Sequence, residues 1–234
     1  DLFVTMNDSY RFMQEELQRQ DWLSVYINSF VSQYDPNTSY LDPESRERFD
    51  VDMSGNYAGI GARLQKKIDK VEITEVISGG PAWRENILEK GDIILKVRQE
   101  NEDEATGILG MRLSEAVKLI KGEKGTKVYL TIKKVDGSVS EISVKRDIVL
   151  LEETYIKSSI VEKNSNSFGI INIPKFYIDF DNQSNRDAAK DLRTEINRLK
   201  EEGVKGLIID LRNNGGGALK TVVDMAGMFI KTGP

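Results

Sequence analysis

The stretch Leu207 to Gly217, Leu-Ile-Ile-Asp-Leu-Arg-Asn-Asn-Gly-Gly-Gly, constrains this chain more than any other. Gly206-Leu207-Ile208-Ile209 is apolar at successive positions, as in a central strand covered by helices on both faces. Three glycines then let the backbone bend sharply and leave their N–H groups uncovered by side chains. The apolar spacing from Leu219 to Ile230 predicts a helix directly after them. Where a loop of this kind opens a helix, free N–H groups and the positive end of the helix dipole converge on one point, which favours developing negative charge. Two readings follow: a tight strand-to-helix turn, or an anion or oxyanion site.

The rest of the composition narrows the chemistry. With 234 residues, 39% apolar and 30% charged, and a net charge of −5, the chain has room for about two domains of ordinary size. Lys and Arg are interspersed with Asp and Glu, so no basic block points to a nucleic-acid partner. There is no Cys and no His. That removes disulfides, thiolate nucleophiles, a Ser-His-Asp triad and any Cys- or His-ligated metal from these residues. No metal or other cofactor is expected. No apolar run approaches the roughly 20 residues of a membrane span, and the start at Asp1 carries no signal-peptide pattern, so the chain reads as excised from something longer.

The predicted architecture is α+β with several domains. Residues 1–52 read as a helical segment: Phe3, Met6, Tyr10, Met13 and Leu17 form one stripe, and Trp22, Tyr26, Ile27, Phe30, Val31 and Tyr34 a second, each expected to pack into a core. Tyr34 to Pro43 is turn-rich. Residues 53–149 read as a β-rich module, with strands around Ala62–Leu64, Val71–Val76 and Ile93–Val97. A short amphipathic helix follows from Leu113, with Ala116, Val117 and Ile120 on its apolar face and Gly122 just past its end. A hairpin is predicted through the Asp136-Gly137 turn, with Val128, Leu130 and Ile132 alternating on one side and Ile142 and Val144 on the other. Residues 150–234 read as βαβα: a strand at Phe168–Ile173, a helix capped by Ser184 with Leu192, Ile196 and Leu199 on its apolar face, a strand from Val204 to Asp210 parallel to the first, and the glycine corner.

Two segments carry a family resemblance. Asp210-Leu211-Arg212-Asn213-Asn214-Gly215-Gly216-Gly217 closely resembles a hallmark of the C-terminal processing peptidases, or tail-specific proteases. Tyr57-Ala58-Gly59-Ile60-Gly61-Ala62 resembles the carboxylate-binding loop of a PDZ domain, supported in order by Gly79-Gly80-Pro81-Ala82, Gly91-Asp92-Ile93-Ile94 and the helix containing Glu115-Ala116-Val117. Asp35-Pro36-Asn37-Thr38-Ser39-Tyr40 is similar to a segment preceding the PDZ module in these peptidases, with Asn37 where His is common. The resemblance covers essentially the whole chain.

It implies a fold of three parts: a helical lead-in, a PDZ-like domain, and the first part of a crotonase-like or Clp-protease-like catalytic domain. It implies a serine endopeptidase with a Ser nucleophile and a Lys base, neither of them reached before Pro234. A lysine can serve as base near neutral pH when burial lowers its pKa, so such an enzyme needs no His. Gly216, with Gly217 second, would supply a backbone oxyanion N–H, braced by Asp210, Arg212 and Asn214. Gly59, Ile60, Gly61, Ala62, Leu113, Val117 and Ile120 would hold the free apolar C terminus of a polypeptide substrate. The family also implies the periplasm or cell envelope. The strand Leu207–Ile209 would lack a neighbour in this chain, leaving an edge for self-association. Two further readings stay open: a peptide-binding protein without catalysis, and a crotonase-type acyl-thioester enzyme.

Overall fold

The computed structural model describes Met6, residues 19–180 and residues 186–230. The chain forms two compact units, residues 1–50 and 51–234, each taken by itself. No helix among the described residues is long and apolar enough to cross a membrane.

In the first unit, α1 (Arg19–Tyr34) is helical as its stripe predicts, yet none of its residues is buried. Trp22, Tyr26, Phe30 and Tyr34 are exposed, and Tyr26 and Phe30 meet edge to face at 5.3 Å. The expected core is therefore absent from this helix: an amphipathic face is buried only by a partner, and the stripe expected to supply one, Phe3 to Leu17, falls outside the described residues except for Met6. A second helix, α2 (Pro43–Ser54), has no apolar periodicity to announce it. Asp42 caps it instead, its Oδ1 accepting from the N–H groups of Glu44 and Ser45 at 3.0 Å each. Pro43 takes the first helical position, and Arg46–Asp50 and Arg48–Glu44 pair one turn apart.

In the second unit the chain runs through β1 (Asn56–Gly59), β2 (Ala62–Lys67), β3 (Lys70–Val76), α3 (Pro81–Glu85), β4 (Ile93–Gln99), β5 (Thr106–Gly107), α4 (Leu113–Ile120), β6 (Lys127–Lys133), β7 (Val139–Lys145) and β8 (Asp147–Leu150). The main sheet has the order β2-β3-β4-β6-β7, with β5 beside β4, while β1 pairs antiparallel with β8 and so closes the module on itself. Alternation along β6 buries Val128, Leu130 and Ile132 against Val71, Ile73, Ile94 and Val97, as the sequence predicts for a sheet with one covered face. Asp136-Gly137 makes the β6–β7 turn, with Gly137 at φ +90°. Asp92 is fully buried, and its Oδ2 accepts from Lys134 Nζ at 2.8 Å and from the Glu89 N–H at 2.9 Å. One carboxylate thus ties the start of β4 to the end of β6.

Beyond a 3-10 turn at Glu152–Thr154 come β9 (Lys157–Lys163), β10 (Asn166–Asn172), α5 (Ala188–Glu201), β11 (Leu207–Asp210) and α6 (Leu219–Ala226). β10 and β11 are parallel, Gly169 to Asn172 opposite Leu207 to Asp210, as the βαβ reading requires. β9, antiparallel to β10, is an addition the sequence does not announce. The α5 cap is Asp187, whose Oδ1 accepts from the Lys190 N–H at 2.8 Å. The expected cap, Ser184, lies outside the described residues. A second core gathers Tyr155, Ile171, Ile173, Tyr177, Leu192 and Leu199. β11 is not a central strand among the described residues, and it lacks a second neighbour as expected for Leu207–Ile209 in this chain. It is the edge of the three-stranded sheet and its Ile208 is 53% exposed, because among the described residues only β10 pairs with it.

Candidate functional site

The glycine corner is held from three directions. On its approach, Asp210 accepts from the Arg212 N–H at 3.0 Å and from its guanidinium at 2.9 Å (Nε) and 2.6 Å (Nη2). The side-chain bonds to Arg212 hold the Asp210 carboxyl at a pKa of about 2, so it is ionised at any physiological pH. Asn213 sits in the left-handed region at φ +62°, a conformation asparagine tolerates better than most residues. Asn214 then spans the turn. Its Nδ2 donates to the Ile173 carbonyl at 2.9 Å and its Oδ1 accepts from the Gly216 N–H at 2.7 Å.

The third hold is the segment Pro174–Ile178. The Phe176 N–H donates to the Gly216 carbonyl at 3.0 Å, and the Phe176 carbonyl accepts from the Ala218 N–H at 2.9 Å. This is a one-residue parallel bridge to Gly217, which directs Gly217's own N–H and C=O away from Phe176. Gly216 and Gly217 sit at φ +102° and +144°. The segment is fixed on its other side as well. Ile178 N–H donates to the Met53 carbonyl at 2.9 Å, and Lys175 pairs with Asp52. Tyr177 donates to Asp191, and burial with that carboxylate pushes its phenol well above the usual tyrosine range. Its ring meets Tyr155 edge to face at 5.0 Å, and Tyr155 donates to the carbonyls of Ser54 and Gly55.

The corner therefore has two glycines at positive φ, followed within two residues by the first turn of α6. The N–H of Gly216 is occupied by Asn214, whereas that of Gly217 has no hydrogen-bond partner among the described residues. Asn214 and Phe176 are the positioning residues. Asn214 is visible in the motif, but Phe176 reads from sequence only as an aromatic in a loop.

In the β-rich module, Gly59 ends β1 and Ala62 begins β2, so Ile60 and Gly61 form the corner between two sheets. The carbonyls of both accept, from the Ala82 and Ile77 N–H groups, while their own N–H groups have no partner among the described residues. Gly61 has φ +79°, and a Cβ there would lie 3.1 Å from the Gly80 Cα, so this position requires glycine. β2 is the sheet's edge strand, and α4 packs against it and β4. Ile60, Ala62, Leu113 and Ile120 belong to one apolar cluster, with different exposures. Ile60 and Ile120 are each 3% exposed and belong to the core; Ile60 offers its backbone, whereas Ala62, Leu113 and Val117 keep partly open side chains.

Comparison with known proteins gives the same two regions. The PDZ domain family matches residues 49–133 and peptidase family S41 matches residues 167–234. The tail-specific protease of Haemophilus influenzae is 35% identical over 220 residues, covering 94% of this chain and 30% of that protein. The carboxy-terminal processing protease CtpA of Bacillus subtilis is 34% identical over 199 residues, covering 85% of this chain and 38% of that one. The crystal structure of the PDZ domain of the carboxy-terminal protease from Vibrio cholerae in complex with peptide is 38% identical with a TM-score of 0.38, covering 40% of this chain and 97% of that one. The chain spans less than half the length of these curated relatives. Residues 49–133 thus match the PDZ domain family and residues 167–234 match peptidase family S41, and over most of its length the chain is similar to tail-specific and carboxy-terminal processing proteases.

Proposed function

We propose that this chain is the substrate-binding and oxyanion-corner portion of a serine endopeptidase that selects polypeptides by their C-terminal tails. The observation that carries tail binding is the pair of N–H groups at Ile60 and Gly61, unpartnered among the described residues, at the head of an edge strand flanked by the apolar face of α4. Neutral donors converging on one point suit a carboxylate, and an extended peptide adds as a strand beside β2 with its alternate side chains toward Leu113 and Val117. Gly59 to Ala62, Leu113, Val117 and Ile120 form this site, within a module taken as residues 53–149. Residues 150–234 then begin the catalytic domain. There Gly217 presents an N–H that is unpartnered among the described residues, and Gly216 can present a second if Asn214 Oδ1 yields to a substrate carbonyl oxygen.

The nucleophile and base belong to segments outside these residues, so chain 1–234 binds tails without cleaving them. The periplasm or cell envelope is the compartment proposed, and the open edge of β11 the surface for any self-association. The test is a titration of chain 1–234 with a peptide ending in free Ala and the same peptide amidated. At least ~10-fold tighter binding of the free acid is expected, on the scale of a charge-assisted hydrogen bond. Equal affinities would refute tail recognition.

A further inference from the structure

One apolar residue of the β-rich module is both strained and bare. Ile68 is the first central residue of the turn between β2 and β3, whose last paired residues are Lys67 and Lys70. It sits at φ +55° and is 89% exposed. In a two-residue hairpin turn this position takes a positive φ, which Gly, Asn and Asp adopt at little cost and a β-branched residue does not. Neither backbone geometry nor burial accounts for an isoleucine here, and strain of this kind at a surface points to a use.

The turn has a fixed base. The Asp69 carbonyl accepts from the Gly110 N–H at 2.8 Å, which fastens the turn to the loop leading into α4. At the foot of the hairpin, Lys67 pairs with Glu72 at 2.8 Å. Leu109, the residue before Gly110, is 55% exposed, whereas Met111 after it packs against the module's core. Each of the two bonded residues, Asp69 and Gly110, thus follows an open apolar side chain.

The run of β2 shows what reaches this end of the module. A tail whose carboxylate sits on the Ile60 and Gly61 N–H groups has its last residue at the start of β2. It therefore pairs antiparallel with the strand's open edge and runs toward Ile68. Pairing residue for residue from Ala62 brings Ile68 opposite a position about six residues before the last.

We propose that Ile68, with Leu109 on the adjoining loop, is a second specificity-determining contact for tail substrates, one that takes an apolar side chain about six residues upstream of the C terminus. This rests on the tail-binding reading above. It makes the module a reader of extended tails rather than of the last residues alone, and it gives the isoleucine at a left-handed turn position a function.

The test is a titration of chain 1–234 with two ten-residue free-acid peptides ending in Ala, one with Leu at the fifth, sixth and seventh residues before the last and one with Ser there. The Leu peptide is expected to bind about 5- to 10-fold tighter. Ile68→Asn suits the left-handed turn and removes the apolar surface, so it should bring the Leu peptide down to the affinity of the Ser peptide while the Ser peptide is unchanged. Its urea midpoint should be equal to or above that of the parent, an outcome opposite to the loss of a structural residue. Ile68→Val should keep most of the preference, and Leu109→Ser should reduce it. Equal binding of the two peptides by a parent chain that still prefers free acid to amide would overturn this assignment and leave the tail reading standing. Equal binding of free acid and amide would sink both. A chain that self-associates and loses that association in Ile68→Asn, with the Leu preference intact, would assign the tip to a second copy and overturn the proposal.

Discussion

Gly217→Ala is expected to destabilise residues 151–230 by about 3 kcal/mol, roughly twice the effect of Gly216→Ala one residue earlier. The two glycines look alike in sequence, and both sit at positive φ, where an L side chain is strained. Their surroundings differ. A Cβ at Gly216 would meet nothing within 4 Å, so alanine there adds only backbone strain. A Cβ at Gly217 would lie 2.3 Å from the Phe176 carbonyl oxygen and 2.7 Å from its carbon. That contact is with backbone already committed to the Ala218 N–H, so relief requires breaking the bridge that orients the corner. Urea unfolding of the two variants decides the matter; equal losses would show that the corner is free to shift and that Phe176 does not fix it.

A second large effect is expected from Arg146→Leu, at about 3 kcal/mol. Arg146 is only 3% exposed, and no carboxylate among the described residues pairs with it. Its guanidinium instead donates to Ile120 O at 2.9 Å, Leu119 O at 3.1 Å, Gln99 Oε1 at 2.8 Å and Thr126 Oγ1 at 2.9 Å. These acceptors include the last carbonyls of α4, so the side chain caps that helix and pins it to β4 and β6. Leucine would fill part of the volume and leave several buried acceptors without donors, each a loss of about 1–3 kcal/mol only partly offset by added apolar contact. Gly122 shows how closely the site is fitted, since a Cβ there would lie 2.9 Å from the Arg146 Cζ. The urea midpoint gives the answer, and a loss below ~1 kcal/mol would mean that water replaces the guanidinium at little cost. The substitution Arg146→Lys should fall between leucine and the parent, because an ammonium cannot reach four acceptors arranged around a planar fork.

Structure that follows from side-chain periodicity is legible in the sequence. The alternation of Val128, Leu130 and Ile132 and the Asp136-Gly137 turn specify the β6–β7 hairpin, and the spacing of Leu113, Ala116, Val117 and Ile120 specifies α4. The parallel β10–β11 pair follows from strand, helix and strand in sequence. Elements held by polar contacts are harder to see. α2 is stabilised by the Asp42 cap and one-turn ion pairs rather than an apolar face, and β9, Lys-Ser-Ser-Ile-Val-Glu-Lys, is mostly exposed and gains its order from β10. At the corner the glycines are evident, but the use of Asn214 Oδ1 on Gly216 is not. Motif spacing shows which amides have no side chain over them, and only coordinates show which are already bonded.

Pro174–Ile178 is short, and it is bonded on one side to Gly216 and Ala218 and on the other to Met53 and Asp52. So brief a segment, fastened on both sides, has almost no slack. The Gly216–Ala218 turn and the end of α2 are thus joined through this one segment, and local opening at Met53 is expected to loosen the turn, as opening of the turn is expected to loosen Met53.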